Sequence, residues 1–405
     1  MTPSAPSSST RKIGPLGFRR GRVPSYHTLA KTAIPLLFVA FGVYLERAPS
    51  SPWHRFHALA LAFAVASYVA VMLRGRLRDA MAVIASLLFC LAAIEVYCVD
   101  AFVATIDVNT AGHNIKHPVL GWGPGQPGVF HHTKLDVKTG RAIWEVDYTI
   151  DAHLHRQVLS AEDAPTVAFL GGSDTFGAGL PDAETLPQQF ADATGRRWHV
   201  VNLGFPGYGP QQLLRGLETH LFDEALKNSR LLVIETTPWQ AGRTACINEY
   251  MATAPRYEME GGRPTFRGIC REGWPILTRA LSAISSIPHF FVVQALNAPR
   301  PETIDLYVAI LVRAATIARD KYGVPTALLY QPGEGYLRPS GYTDQQLITR
   351  FRDGGLAVVD GGLDPADFPG QDLEIPGEGH FTGVANRAFA ARLRDFFEAS
   401  VSQAR

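Results

Sequence analysis

Net charge of either sign is what this chain most lacks. Across 405 residues, 38 Lys and Arg face 37 Asp and Glu. Such a balance provides no global field to gather nucleic acid, so no nucleic-acid partner is expected. Cysteine is scarce too, with four residues and none at zinc-ligand spacing. His153 and His155 fall on one face of any strand, and His131 and His132 form a second pair. Neither pair has a companion carboxylate set, so all four read as surface histidines. No metal and no cofactor are expected.

The first 31 residues contain no acidic side chain, only Arg11, Lys12, Arg19, Arg20, Arg22 and Lys31 among the charges. Rich in Ser, Pro and Gly, residues 1–28 read as a flexible basic tail. Three apolar runs follow within 29–100, from about Leu29 to Leu45, Phe56 to Leu73 and Ala80 to Val99. Each approaches the roughly 20 residues a bilayer-spanning helix needs, which predicts three transmembrane helices. Arg74, Arg76 and Arg78 lie in the second loop, whereas the first loop, Glu46 to Arg55, has less positive charge. The positive-inside rule then keeps the tail and second loop cytoplasmic and sends everything after about residue 100 outside. That arrangement predicts a multi-pass protein of the inner (cytoplasmic) membrane. Glu95 sits near the outer end of the third run and reads as an interfacial or helix-packing carboxylate. Cys246 and Cys270 fall in the outer part, where an oxidising compartment would let them pair.

Residues 101–160 read as a β-rich lead-in, with strand-like segments flanking a turn at Lys138-Thr139-Gly140. From 161 to 405 strands and helices alternate. Strands are predicted at 166–170, 199–203, 231–235, 325–330 and 356–359, with helices near 184–194, 210–221, 302–321, 342–353 and 384–399. Such alternation predicts an α/β unit, a parallel sheet covered on both faces. Residues 238–300 lack periodicity and read as an insertion that shapes a cleft.

The first strand runs into Leu170-Gly171-Gly172-Ser173-Asp174-Thr175-Phe176-Gly177-Ala178. A strand ending in glycines and a serine lifts one hydroxyl to the C-terminal edge of a parallel sheet, where reactive groups gather. A serine needs a base and oxyanion donors to act as a nucleophile. Asn202 to Gly209 provides a glycine-rich turn after the second strand, and Gly377-Glu378-Gly379-His380 precedes the last helix.

These three segments resemble those of the SGNH/GDSL hydrolase superfamily, in particular its membrane-anchored bacterial members. The resemblance covers about 166–400 and implies a flavodoxin-like three-layer fold. It assigns Ser173 as nucleophile, His380 as general base, and the N–H groups of Ser173 and Gly207 as oxyanion donors. Three positions depart from the pattern. The Asp that usually precedes the serine is Gly172, and the third-block Asn has no clear counterpart, leaving Gln240 or a threonine to substitute. The Asp usually found three residues before the histidine is Gly377. Glu378 then orients the imidazole, or Ser173 and His380 work as a dyad. The expected activity is that of an extracytoplasmic serine esterase acting on ester or O-acetyl groups of a small molecule, glycan or cell-envelope substrate. An O-acyltransferase of exported or envelope polysaccharide and a non-catalytic glycan-binding or scaffold module are the alternatives.

Overall fold

The computed structural model describes residues 26–47, 53–109, 112–247, 249–274 and 298–403, with Arg279, Ser285 and Ile287 between the last two. The basic tail before residue 26 and much of the second half of the 238–300 insertion lie outside the described residues. Contacts divide the chain into two units, Met1–Phe89 and Cys90–Arg405.

The first unit holds helices α1 (Tyr26–Arg47) and α2 (His54–Met72) and the start of α3 (Arg76–Phe102). Phe38 meets Tyr68 edge-on at 5.9 Å between ring centroids, and Phe63 meets Phe89 at 5.5 Å. Three spanning helices were expected. Among the described residues two, His54–Met72 and Arg76–Ala101, are long and apolar enough to cross a membrane. In α1 the uncharged stretch lasts only from Thr32 to Leu45, between Lys31 and Glu46. That falls short of the roughly 20 residues a span requires.

The second unit opens with the lead-in. Strands β1 (Thr105–Asn109), β4 (Gly128–Asp136) and β5 (Ala142–Ile150) form an antiparallel sheet in the order β1-β4-β5. Strands β2 (Ile115–His117) and β3 (Gly121–Gly123) make a separate hairpin. Asp136 Oδ1 accepts from the Thr139 N–H at 2.7 Å, which closes the turn at 138–140.

Five parallel strands follow: β6 (Thr166–Leu170), β7 (His199–Asn202), β8 (Ser229–Thr236), β11 (Thr326–Tyr330) and β12 (Ala357–Asp360). Their spatial order, β12-β11-β8-β6-β7, is the 2-1-3-4-5 order of flavodoxin-like sheets read from the β7 edge. Side chains alternate across β6, and this sets the two cores. Val167 and Phe169 pack with Phe190, Phe389, Leu393 and Phe397 on one face. Ala168 and Leu170 pack with Leu213, Leu217, Ile304, Leu311 and Phe351 on the other. Both faces are thus covered by helices, as the apolar strands require. A hairpin of β9 (Pro255–Glu260) and β10 (Arg263–Ile269) occupies the insertion, and a disulfide joins Cys246 to Cys270 beside it. In the same unit Ser285 Oγ donates a 2.6 Å hydrogen bond to Glu95.

Arg156 links the two sheets by isolated bridges to Ile150 and Asn202. Its guanidinium is buried, donates to Asp182 Oδ1 at 2.7 Å and Leu180 O at 2.8 Å, and lies over the Tyr148 ring. His113 and His132 pack beside it with ring centroids 4.3 Å apart. The expectation of surface histidines holds in part. His131 is exposed between Glu145 and Asp147, but His132 is buried, because neighbours on a strand point to opposite faces.

Burial, then the neighbouring cations, lowers His113 to about 3 and His132 to about 4. The unfolded chain takes up these protons near 6.5, while the folded chain does not until the lower values are reached. Stability from this source is therefore complete above about 6.5 and falls as pH drops from there towards 3. We expect the pair to account for much of that acid-side loss. Urea midpoints of wild type and His113→Phe at neutral and acid pH measure it. Equal acid sensitivity of the two proteins would rule out this origin.

Candidate active site

The serine turn is built by crowding. A Cβ on Gly171 would stand 1.9 Å from Thr175 Oγ1, so only glycine lets β6 turn directly into the short helix α4 (Ser173–Phe176). Ser173 opens that helix, 6 % exposed, with Gly172 as its N-cap. The first N–H groups of a helix have no partner within it. Among the described residues no acceptor takes the Ser173 N–H or the Gly207 N–H.

The second segment is tied to the first by Asn202, the last residue of β7. Its side chain donates to Thr175 O at 3.0 Å and accepts from the Gly204 N–H at 3.0 Å. Trp122 of β3 donates to Pro206 O at 2.9 Å, and Tyr208 returns a 2.7 Å bond to Trp122 O. The lead-in thus fixes the Gly207 loop.

The third segment is a hydrogen-bonded loop in which Ile375 N–H bonds His380 O at 2.7 Å. His380 Nδ1 is bonded to Glu378 Oε1, and the His380 N–H donates to Glu378 Oε2 at 3.0 Å. Nδ1 is therefore occupied, and Nε2 is the ring nitrogen left for another proton. The Phe381 N–H faces the Asp174 carboxylate, which brings this loop against the serine turn.

The sequence reading missed Lys134 of β4. It donates to Glu378 Oε1 at 2.7 Å across 244 positions in sequence, and no local motif announces such a contact. Burial of Glu378 opposes its charge, but His380 and Lys134 outweigh it and hold the carboxyl at about 2. Burial pulls His380 down, whereas Glu378 and Asp174 raise it above its ordinary value, with the net effect upward.

Two buried acids and one buried cation complete the surroundings. Burial raises Asp174, against the pull of His380 and Arg243. Glu235, at the end of β8, is pushed up to about 8 by burial and by Asp174, and lies 2.5 Å from Thr175 Oγ1 and 2.6 Å from Gln331 Nε2. Arg243 stacks on Trp239 with its guanidinium carbon 4.4 Å from the ring centre and bonds Tyr208 O. Gln240 accepts from Thr236 Oγ1 at 3.1 Å, and its Nε2 lies 3.9 Å from the Cβ position of Gly172. Ser173, Gly207, Gln240, Glu378 and His380 thus come from the loops at the C-terminal ends of β6, β7 and β8 and the loop before the last helix. A surface recess of about 400 Å³ lies elsewhere, lined by Leu217, Glu218, His220, Arg313 and Lys321 among others, and shares no residue with this cluster.

A flavodoxin-like sheet with a serine, a histidine–glutamate pair and unused N–H groups at one edge defines the class of α/β protein. No family model and no curated relative matches the chain. Among solved structures it is similar to a member of the lipolytic G-D-S-L family from Veillonella parvula, at 16 % identity and a TM-score of 0.36, covering 57 % of this chain and 98 % of that one. It is also similar to the esterase EstA from Pseudoalteromonas sp., at 14 % identity, TM-score 0.34, and 59 % and 99 % coverage. A salicylyl-acyltransferase from a tetracycline biosynthetic pathway is a third, at 13 % identity, TM-score 0.32, and 61 % and 57 % coverage.

Proposed function

We propose that this chain is a membrane-anchored, extracytoplasmic serine esterase acting on ester or O-acetyl groups. The observation that carries the reading is the Glu378–His380 pair packed against the Ser173 turn, with Nε2 available and the Ser173 and Gly207 N–H groups unused. His380 Nε2 takes the Ser173 hydroxyl proton as Oγ bonds to the substrate carbonyl carbon. The carbonyl π electrons move to its oxygen, which receives hydrogen bonds from the Ser173 and Gly207 N–H groups and from Gln240. Collapse expels the alcohol, which takes the proton from the imidazolium and leaves an acyl-serine. Water then repeats both steps, frees the acid and restores the serine. Glu378 keeps the imidazole in the tautomer that accepts at Nε2 and balances its charge.

The base must be neutral to act, so kcat/KM rises with pH through a His380 value above the ordinary 6.5. Burial of Ser173 favours a second reading, since restricted water access suits delivery of the acyl group to a sugar hydroxyl. An acceptor glycan separates the two by its products. The apolar helices α2 and α3 and the Cys246–Cys270 bond support anchoring with the site in an oxidising compartment.

A fluorophosphonate probe on the full-length, detergent-solubilised protein tests the enzyme reading. We expect covalent labelling that vanishes in Ser173→Ala. A folded wild type that takes no label would sink both the esterase and the transferase reading in favour of a binding module. A reporter fused after Arg405 that works only in the cytoplasm would overturn the orientation.

A further inference from the structure

Arg243 stands apart from every other buried cation in the site. Lys134 is paired with Glu378, and Arg156 with Asp182. Arg243 is 6 % exposed, and among the described residues no carboxylate makes an ion pair with it, although the buried Asp174 and Glu235 feel its charge from farther off. One amino nitrogen is bonded to Tyr208 O, and Nε is enclosed with no acceptor. Burying a guanidinium with no carboxylate directly paired to it costs several kcal/mol unless something compensates.

A Cβ built on Gly172 would meet Arg243 Nη1 at 2.8 Å and Tyr208 O at 2.9 Å. The guanidinium therefore fills the space where a side chain at 172 would point. It lies between the Gly172 turn, which leads into the unused Ser173 N–H, and the Tyr208 carbonyl, one residue after the unused Gly207 N–H. Arg243 is itself held. Its carbonyl accepts from Gln211 Nε2 at 2.8 Å, and its Cβ lies 2.9 Å from the Cβ position of Gly209. Trp239 covers its face. A cation fixed in this way costs no reorganisation when charge develops nearby.

We propose that Arg243 is a positioning residue of the oxyanion hole: it ties the Tyr208 carbonyl, and with it the Gly207 loop, to the serine turn and supplies the positive charge that the anionic intermediate meets. The inference rests on the esterase reading above. Gly172 is its necessary counterpart, because any side chain there would displace the guanidinium. The same geometry explains how the turn tolerates Gly172. The polar contact of an acid at 172 is replaced by an arginine arriving from the turn after β8.

The test uses p-nitrophenyl acetate and the fluorophosphonate probe on the full-length protein. Arg243→Gln should lower kcat and the labelling rate by about 10²-fold with KM changed little, as for loss of one oxyanion donor. Arg243→Lys should recover part of the loss, and millimolar guanidinium should partly rescue Arg243→Ala. A merely structural arginine gives no such kcat-selective loss and no rescue. A folded Arg243→Gln protein with kcat within about threefold of wild type overturns the proposal. Should Arg243→Gln fail to fold by near-UV circular dichroism, Arg243→Lys decides, since it keeps a cation but not the guanidinium's contact with Tyr208 O. A tenfold or greater kcat loss there supports the role, and a wild-type kcat overturns it. An unlabelled wild type would instead remove the esterase reading and this inference with it. Labelling of wild type that persists at full rate in the Arg243 variants removes only the inference.

Discussion

Ser173→Ala should lower kcat on p-nitrophenyl acetate by about 10⁴- to 10⁶-fold while KM changes by no more than a few-fold, by analogy with serine enzymes in which the nucleophile is removed. The split follows from where the hydroxyl sits. Ser173 is enclosed at the start of α4, so its loss empties little binding surface but removes the atom that attacks. The oxyanion donors are backbone groups and survive the change, which leaves a residual rate above that in water. The variant should also fold normally, because the α4 contacts run through backbone groups such as the Phe176 N–H to Gly172 O. His380→Ala should cost nearly as much, and the double variant little more than either alone, since the two act as one unit. A loss below tenfold in Ser173→Ala, or additive losses in the double variant, would exclude the proposed nucleophile–base pair.

Much of the fold was legible in the sequence because it is written in local pattern. The apolar runs of β6, β8 and β11 are buried on both faces, and such strands read as continuous hydrophobic segments with clear boundaries. Ser173, Gly207 and His380 stood out as candidates because each sits in a short glycine-containing turn beside a strand or helix. Glu378 was legible as a neighbour in sequence of His380, and its bond to Nδ1 is a contact across two residues. What stayed hidden depends on chain pairing. Lys134 reaches Glu378 only because the lead-in sheet folds over the last loop. Arg243 reaches Gly172 only because the turn after β8 crosses the turn after β6. Neither pairing has a local signature. His132 was misread for a simpler reason: the alternation of strand faces puts it inside while its neighbour His131 stays outside. The third apolar run was legible as a helix long and apolar enough to cross a membrane, whereas the first was overestimated by disregarding the charges that bound it.

Glu378→Gln and Lys134→Met should move the acid limb of the kcat/KM profile in opposite directions. Glu378 raises His380 through its hydrogen bond and its charge, and Lys134 lowers it through its own charge. Removing the carboxylate therefore moves the limb to lower pH, and removing the ammonium moves it to higher pH. The plateau responds separately. A neutral amide no longer balances the imidazolium or favours the required tautomer, so Glu378→Gln should lose about 10²- to 10⁴-fold at its plateau. In Lys134→Met the carboxylate keeps His380 as partner, so the plateau should fall much less. The two substitutions together should leave the limb between the single variants, because the charges act on one ring. A limb that moves the same way in both, or in neither, would show that Glu378 and Lys134 do not govern the working histidine. The profile would then point to the Ser173–His380 dyad, with Asp174 as the remaining carboxylate able to raise the histidine.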